Sequence, residues 1–166
     1  MREIIGIMAC NQDYVISSKG ELPWKCPEEV AFYRKMIRNQ IVIMGYTTFM
    51  QMPQSFLEEH TVVVFSRNHR SDTNPLVTFV SSIDEFDGLK NLPLDRECFM
   101  IGGAEVATLF LKNKSIDRFY LSIVEGHHSG DIYFPIALID QYPKTIYLSN
   151  PAFTVFLYSN LKAQDD

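Results

Sequence analysis

The sequence predicts an α/β fold built on a mostly parallel sheet. Apolar, β-branched runs alternate along the chain with helical patterns, as βαβ units require. Most of those runs are near-continuously hydrophobic, as strands covered on both faces must be. The last two are separated by the turn-rich segments "HHSGDIYFP" and "NPAF" with no helix between them, so the sheet is expected to end on an antiparallel strand.

The strands are read at "EIIGIMAC" (3–10), "IVIMG" (41–45), "TVVVFS" (61–66), "VTFV" (77–80), "CFMIGG" (98–103), "RFYLSIV" (118–124) and "FTVFLYSNL" (153–161). Helical patterns cover 27–39, open briefly at "YTTF" (46–49), and run from 103 through "GAEVATLFLKN". A fourth begins at Ser82, where "SIDE" sets Glu85 three residues after a serine in a capping box. The tail "AQDD" is expected to fray.

Composition narrows the class. With 166 residues, 46% of them hydrophobic, the chain suits one globular domain around one substantial core. Net charge is −5 and the basic residues are scattered, which excludes the electrostatic footprint of a nucleic-acid binder. Three cysteines, Cys10, Cys26 and Cys98, lack a paired short spacing, so neither a disulfide framework nor a structural zinc site is expected, and a reducing cytoplasm fits. The N-terminal apolar run is too short for a signal peptide, and no stretch approaches the roughly 18 apolar residues of a spanning helix, so no membrane partner is expected.

Chemistry is expected at the carboxyl ends of the strands, where open α/β sheets bind ligands. In "VIMGYTTF" a buried strand ends at Gly45 and a helix opens with Thr47 and Thr48; in "FMIGGAEV" the Gly102-Gly103 pair lets backbone approach a ligand as the next helix starts. Each alone reads equally well as a tight turn, and together they favour a dinucleotide. "FSRNHR" adds a hydroxyl and a guanidinium, Ser66 and Arg67, with His69 and Arg70 beyond; the pair suits the extra phosphate of NADP, although such runs are more often solvated surface.

"LPWKCPEEVAFY" (22–33) holds the most informative acid. Pro27 suits a first helical position, and Glu28 and Glu29 fall in the first turn, where the helix dipole favours negative charge. At about 100° per residue, Phe32, Tyr33, Met36 and Ile37 share one sector with Glu29 near its middle, while Arg34, Lys35 and Arg38 take the other. An isolated Pro-Glu-Glu usually turns its carboxylates to water. Beside Trp24, a carboxylate on an apolar sector points instead to a charged or bidentate partner.

These motifs resemble the dihydrofolate reductase family. "VISSKGELPWKCPEEVAFYRKMI" is similar to its signature of a flexible loop, Leu-Pro-Trp, an acid five positions after the tryptophan and an aromatic four further on; "VIMGYTTF", "VVVFSR", "MIGGAEV", "YLSIV" and "GDIYFP" follow in that family's order. The resemblance spans nearly the whole chain and implies a single domain over 1–166, with a mostly parallel eight-stranded sheet, four flanking helices and a C-terminal antiparallel strand. It implies a cytoplasmic monomer that uses NADPH to reduce dihydrofolate, with hydride passing to C6 and a proton to N5.

By position, Glu29, Trp24 and Ser122 take the catalytic places: the acid pairs with the 2-amino group and N3 of the pterin, and the serine hydroxyl bonds the acid. Ile7, Met8, Val30, Tyr33, Met52, Leu57, His60 and Ile101 take the substrate positions. Ala9, Ile16, Gly20, Leu22, Gly45, Tyr46, Thr47, Thr48, Ser66, Arg67, Gly102, Gly103, Ala104, Glu105 and Val106 take the NADPH positions. No metal site is implied.

Four positions depart from the family pattern. Ser17 replaces a glycine before the loop and is expected to restrict its closure, since serine tolerates positive φ poorly. Tyr46 replaces a basic phosphate contact, and Ala107 a tyrosine near the nicotinamide. His60 replaces the arginine that pairs with the α-carboxylate of the folate tail, with His69 or Lys90 as candidate substitutes. The lost arginine keeps open a same-fold reductase acting on a tail-less pterin or a pyrimidine of riboflavin synthesis. A non-catalytic binding protein is the third reading, and it predicts damage to the acid or the glycine pair that the sequence does not show.

Overall fold

Burial is nearly complete along β1 (Ile4–Asn11), as expected of a strand covered on both faces. The computed structural model describes residues 2–68 and 70–162; His69 and the tail at 163–166 lie outside the described residues. From β1 the chain passes through β2 (Val15–Ser17), α1 (Pro27–Ile37), β3 (Ile41–Gly45), α2 (Tyr46–Gln51), α3 (Gln54–Glu59), β4 (Thr61–Phe65) and β5 (Val77–Val80). It continues through α4 (Ile83–Asp87), β6 (Cys98–Met100), α5 (Ala104–Lys112), β7 (Arg118–Val124), β8 (Ile132–Tyr133), β9 (Lys144–Ser149) and β10 (Phe153–Tyr158).

The main sheet has eight strands in the order β5-β4-β3-β6-β1-β7-β10-β9, paired in parallel as far as β7, with β10 antiparallel to both β7 and β9. The chain steps outward through β3, β4 and β5, returns to insert β6 between β3 and β1, then crosses to β7 on the far side of β1. That reversal sets the carboxyl ends of β1, β3 and β6 side by side, where doubly wound sheets leave a crevice. Alternation along the strands feeds two cores. Ile4, Met8, Ile43, Val63 and Phe110 lie in one, with α5, and Ile5, Ile7, Val42, Val62 and Leu57 in the other, with α1 and α3.

The mostly parallel, eight-stranded expectation holds, with differences of detail, among them a separate two-stranded sheet of β2 and β8 that the expected architecture lacks. Among the described residues, five helices flank the sheet where four are expected, the addition being α3. The eighth strand is β9, which pairs antiparallel with β10 at the sheet edge, so β10 alone runs against the other strands of this sheet, as expected of the antiparallel C-terminal strand. All six β9 residues are exposed, so its side chains carry no burial pattern. At α4 the Glu85 N–H donates to Ser82 Oγ at 3.1 Å, but the Glu85 carboxylate accepts from the Ser81 N–H and hydroxyl, one residue earlier than a capping box requires.

Candidate active site

Glu29 sits in the first turn of α1 and is 8% exposed. The Cys26 side chain caps nothing, and the Glu29 N–H is satisfied by the Cys26 carbonyl at 3.1 Å, so the carboxylate is free to turn inward. Glu28 is exposed and accepts a weak Cys26 Sγ hydrogen bond at 3.7 Å. Burial pushes the Glu29 carboxyl up to about 7, and the nearby Ser122 hydroxyl acts in the opposite direction. Ser122, on β7, is itself 1% exposed, and its oxygen lies outside hydrogen-bond geometry with any partner. One turn along α1, the Tyr33 hydroxyl is held above its usual range, first by burial and then by the charge of Glu29.

The positions assigned to the substrate ring divide between the faces of the sheet. Ile7, Tyr33, Met52, Leu57 and Ile101 pack into one core with half-buried Trp24. Met8 lies across the sheet in the other core, beneath Gly102, where a Cβ would stand 2.8 Å from Met8 Cε. Val30 is half-buried.

At the crevice the Gly45 N–H donates to the Gly102 carbonyl at 2.9 Å, joining the ends of β3 and β6. Gly102 has φ +106° and precedes a cis peptide to Gly103. A Cβ on Gly45 would come within 2.9 Å of Val106 Cγ2. These positions form a cradle of bare backbone. Gly103 caps α5 without a side-chain bond, so Ala104, Glu105 and Val106 present the free end of that helix. Thr48 faces Gly103, with 3.6 Å between its Oγ1 and the glycine's Cβ position, while Thr47 is exposed. Ala9 is half-buried and pairs with Ser122 across β1 and β7. Ser66 is buried; Arg67 is exposed and pairs with Glu105 at 3.5 Å.

Residues 12–22 follow β1 and pair, through β2, with β8. Ile16 packs on the core, whereas Gly20 and Leu22 are exposed. Asp131 ties the segment down: its N–H donates to the Ser17 carbonyl at 3.1 Å and its Oδ2 accepts from the Lys19 N–H at 3.2 Å. Ser17 does not adopt the positive φ on which its expected effect on loop closure rests. Ser17 belongs to β2, and positive φ falls on Tyr14, Lys19 and Gly20 instead.

Beyond the other end of α1 an open cleft of about 490 Å³ is lined by Arg34, Arg38, Asn39, Ser55, Phe56, Glu59 and His60, among others. The His60 ring stacks on Phe56 with centroids 4.4 Å apart, and its Nδ1 is buried without a partner. Burial lowers its pKa, opposed by the Gln40 backbone and Glu59. Lys90 is absent from the lining, and His69 lies outside the described residues. The cleft's cations are Arg34 and Arg38, which helical periodicity alone assigns to the solvent sector of α1. Their one-residue offset from the inward-facing Tyr33 and Ile37 is the signal that they flank the same cleft.

Comparison with known proteins agrees with this architecture. The family model described as dihydrofolate reductase matches residues 3–147. The chain is 28% identical to dihydrofolate reductase of Lactococcus lactis over 134 residues, covering 80% of this chain and 77% of the relative. It is 30% identical to dihydrofolate reductase of Bacillus subtilis over 130 residues, covering 78% and 73%. A dihydrofolate reductase of Staphylococcus aureus matches at 28% identity, covering 78% and 76%. With a buried acid heading α1, a glycine cradle at the β3 and β6 ends, and a family match over most of its length, the chain belongs to the dihydrofolate reductase family.

Proposed function

We propose that the protein reduces 7,8-dihydrofolate to 5,6,7,8-tetrahydrofolate with NADPH in support of one-carbon metabolism. The supporting observation is Glu29, a buried carboxylate that no cation pairs with among the described residues, near a serine hydroxyl that also lacks a partner. Such a group is costly unless a ligand completes it. A pterin edge with parallel N–H donors from its 2-amino group and N3 does so by charge-assisted hydrogen bonds.

A nicotinamide cofactor fits the cradle, because Gly45 and Gly102 are the positions where a Cβ would fill it. When bound, the reduced nicotinamide supplies the hydride that reaches C6. Glu29 orients and polarises the ring. The proton for N5 arrives through water, since Glu29 is the only buried carboxylate among the described residues. Trp24, Ile7, Tyr33 and Ile101 screen the ring from bulk solvent. Thr48, Ser66 and the head of α5 serve the cofactor's phosphates. Three free, buried cysteines suit a reducing compartment, here the cytoplasm.

Steady-state oxidation of NADPH with dihydrofolate, beside 7,8-dihydropterin and dihydrobiopterin, tests this. Dihydrofolate turns over, and Glu29→Gln lowers kcat by roughly 10²-fold or more. Near-normal turnover in that variant removes the assignment. A second reading, a reductase of tail-less pterins, is favoured by the buried, neutral His60 and predicts equal kcat/KM for dihydrofolate and dihydropterin.

A further inference from the structure

Tyr46 stands where the family resemblance implies a basic phosphate contact, and the chain carries a cation to that place from elsewhere. The Arg70 guanidinium carbon lies 3.8 Å from the centroid of the Tyr46 ring. Its Nε donates to Ser66 Oγ at 3.0 Å. Ser66 is 7% exposed and held by its own N–H to the Val80 carbonyl at 2.9 Å, so the hydroxyl is a fixed anchor. No carboxylate among the described residues pairs with Arg70. With the plane resting on an aromatic face and Nε engaged, the two terminal nitrogens remain as an open fork, the geometry that grips a phosphate monoester. Arg67, the nearer candidate in sequence, is differently placed: its side chain is 91% exposed, rests on no aromatic face among the described residues, and faces Glu105 at 3.5 Å.

The geometry points to Arg70 as the residue that recognises the 2′-phosphate on the adenosine half of the cofactor, with Tyr46 and Ser66 as positioning residues. Loss of the basic residue at 46 is thereby compensated: the tyrosine is the shelf on which a guanidinium from the β4–β5 connection rests. The assignment depends on the NADPH reading above and adds to it the group that separates NADPH from NADH.

Calorimetric binding of 2′,5′-ADP and 5′-ADP to the full-length protein tests it without turnover. The wild type is expected to favour 2′,5′-ADP at least tenfold. Arg70→Ala removes most of that preference and leaves 5′-ADP affinity within twofold, and its loss exceeds that of Arg67→Ala at least fivefold. Arg70→Lys restores only part of it, because an ammonium offers no fork. Tyr46→Phe retains the preference and Tyr46→Ala weakens it, which a merely structural Arg70 does not explain. If the wild type shows no preference between the two nucleotides, the NADPH reading itself falls. If it shows one that Arg70→Ala leaves intact, NADPH stands and Arg70 is not its reader. Thermal melts of each variant separate lost recognition from lost folding.

Discussion

Glu29→Gln should make the protein more stable as well as nearly inactive. The folded carboxyl holds its proton up to about pH 7 against an ordinary value of 4.5, so between those values the folded state binds more protons than the unfolded chain. Stability from this group is therefore fully present below pH 4.5, falls as pH rises through the window, and is absent above 7. At 1.36 kcal/mol per pKa unit the charged form costs about 3 kcal/mol at pH 8. An amide carries no charge to desolvate but leaves some hydrogen-bonding capacity unmet, which costs about 1 kcal/mol. The variant should gain about 1–3 kcal/mol over the wild type at pH 8, or roughly 3–9 °C in Tm for a chain of this size, and the gain should vanish near pH 5. Urea unfolding of both proteins at pH 5, 6, 7 and 8 without ligands measures this. The lowered pKa of His60 gives an opposite slope, which is common to both proteins and cancels in the difference. Parallel stability curves for wild type and variant would refute the claim that burial strains this carboxylate.

Three further outcomes follow from the geometry. Replacing Arg34 and Arg38 by alanine together should raise KM for dihydrofolate about tenfold and leave that for 7,8-dihydropterin unchanged, because they are the cations of the cleft beside His60; equal changes in both KM values would show that the tail does not use this cleft. Burial lowers the His60 pKa from 6.5, so the ring is neutral above that pH and the ratio of the two KM values should stay flat from pH 6.5 to 8. A ratio that climbs across this range would make His60 a tail-binding cation. Gly102→Ala introduces a Cβ 2.8 Å from Met8 Cε at φ +106°, which should cost about 1–3 kcal/mol and abolish the thermal stabilisation by NADPH expected of the wild type.

Elements with a clear apolar pattern are legible in the sequence alone: the central strands, α1, α5 and the Gly102-Gly103 turn all stand where their residues imply. Helix α3 is not, because "QSFLEE" is too short to show a helical period and has no side-chain cap to announce it after Pro53. Strand β9 escapes for a different reason, since an exposed edge strand is not obliged to alternate. Within the site, Glu29 is identifiable from its place on a helical sector, a local property. Arg34, Arg38 and Arg70 are not, because which cation reaches a cleft depends on side-chain direction and on partners such as Ser66 and the Tyr46 ring. Met8 shows the same limit: one residue along a strand from Ile7, it faces the other side of the sheet.

The place of β1 in the sheet has a consequence during synthesis. Its two neighbours are β6 and β7, and Ile4 pairs with Cys98 while Asn11 pairs with Val124. Once synthesised, β1 must therefore wait for more than a hundred further residues before both its edges are filled. At the usual pace of about 5–20 residues per second that is several seconds or more, during which "IIGIMAC" remains a sticky, unpaired template. A nascent chain halted before residue 118 contains β3 to β6 and both glycine turns and still lacks half the partners of its own centre, so folding here is completed late, by the segment that also delivers Ser122 to the acid.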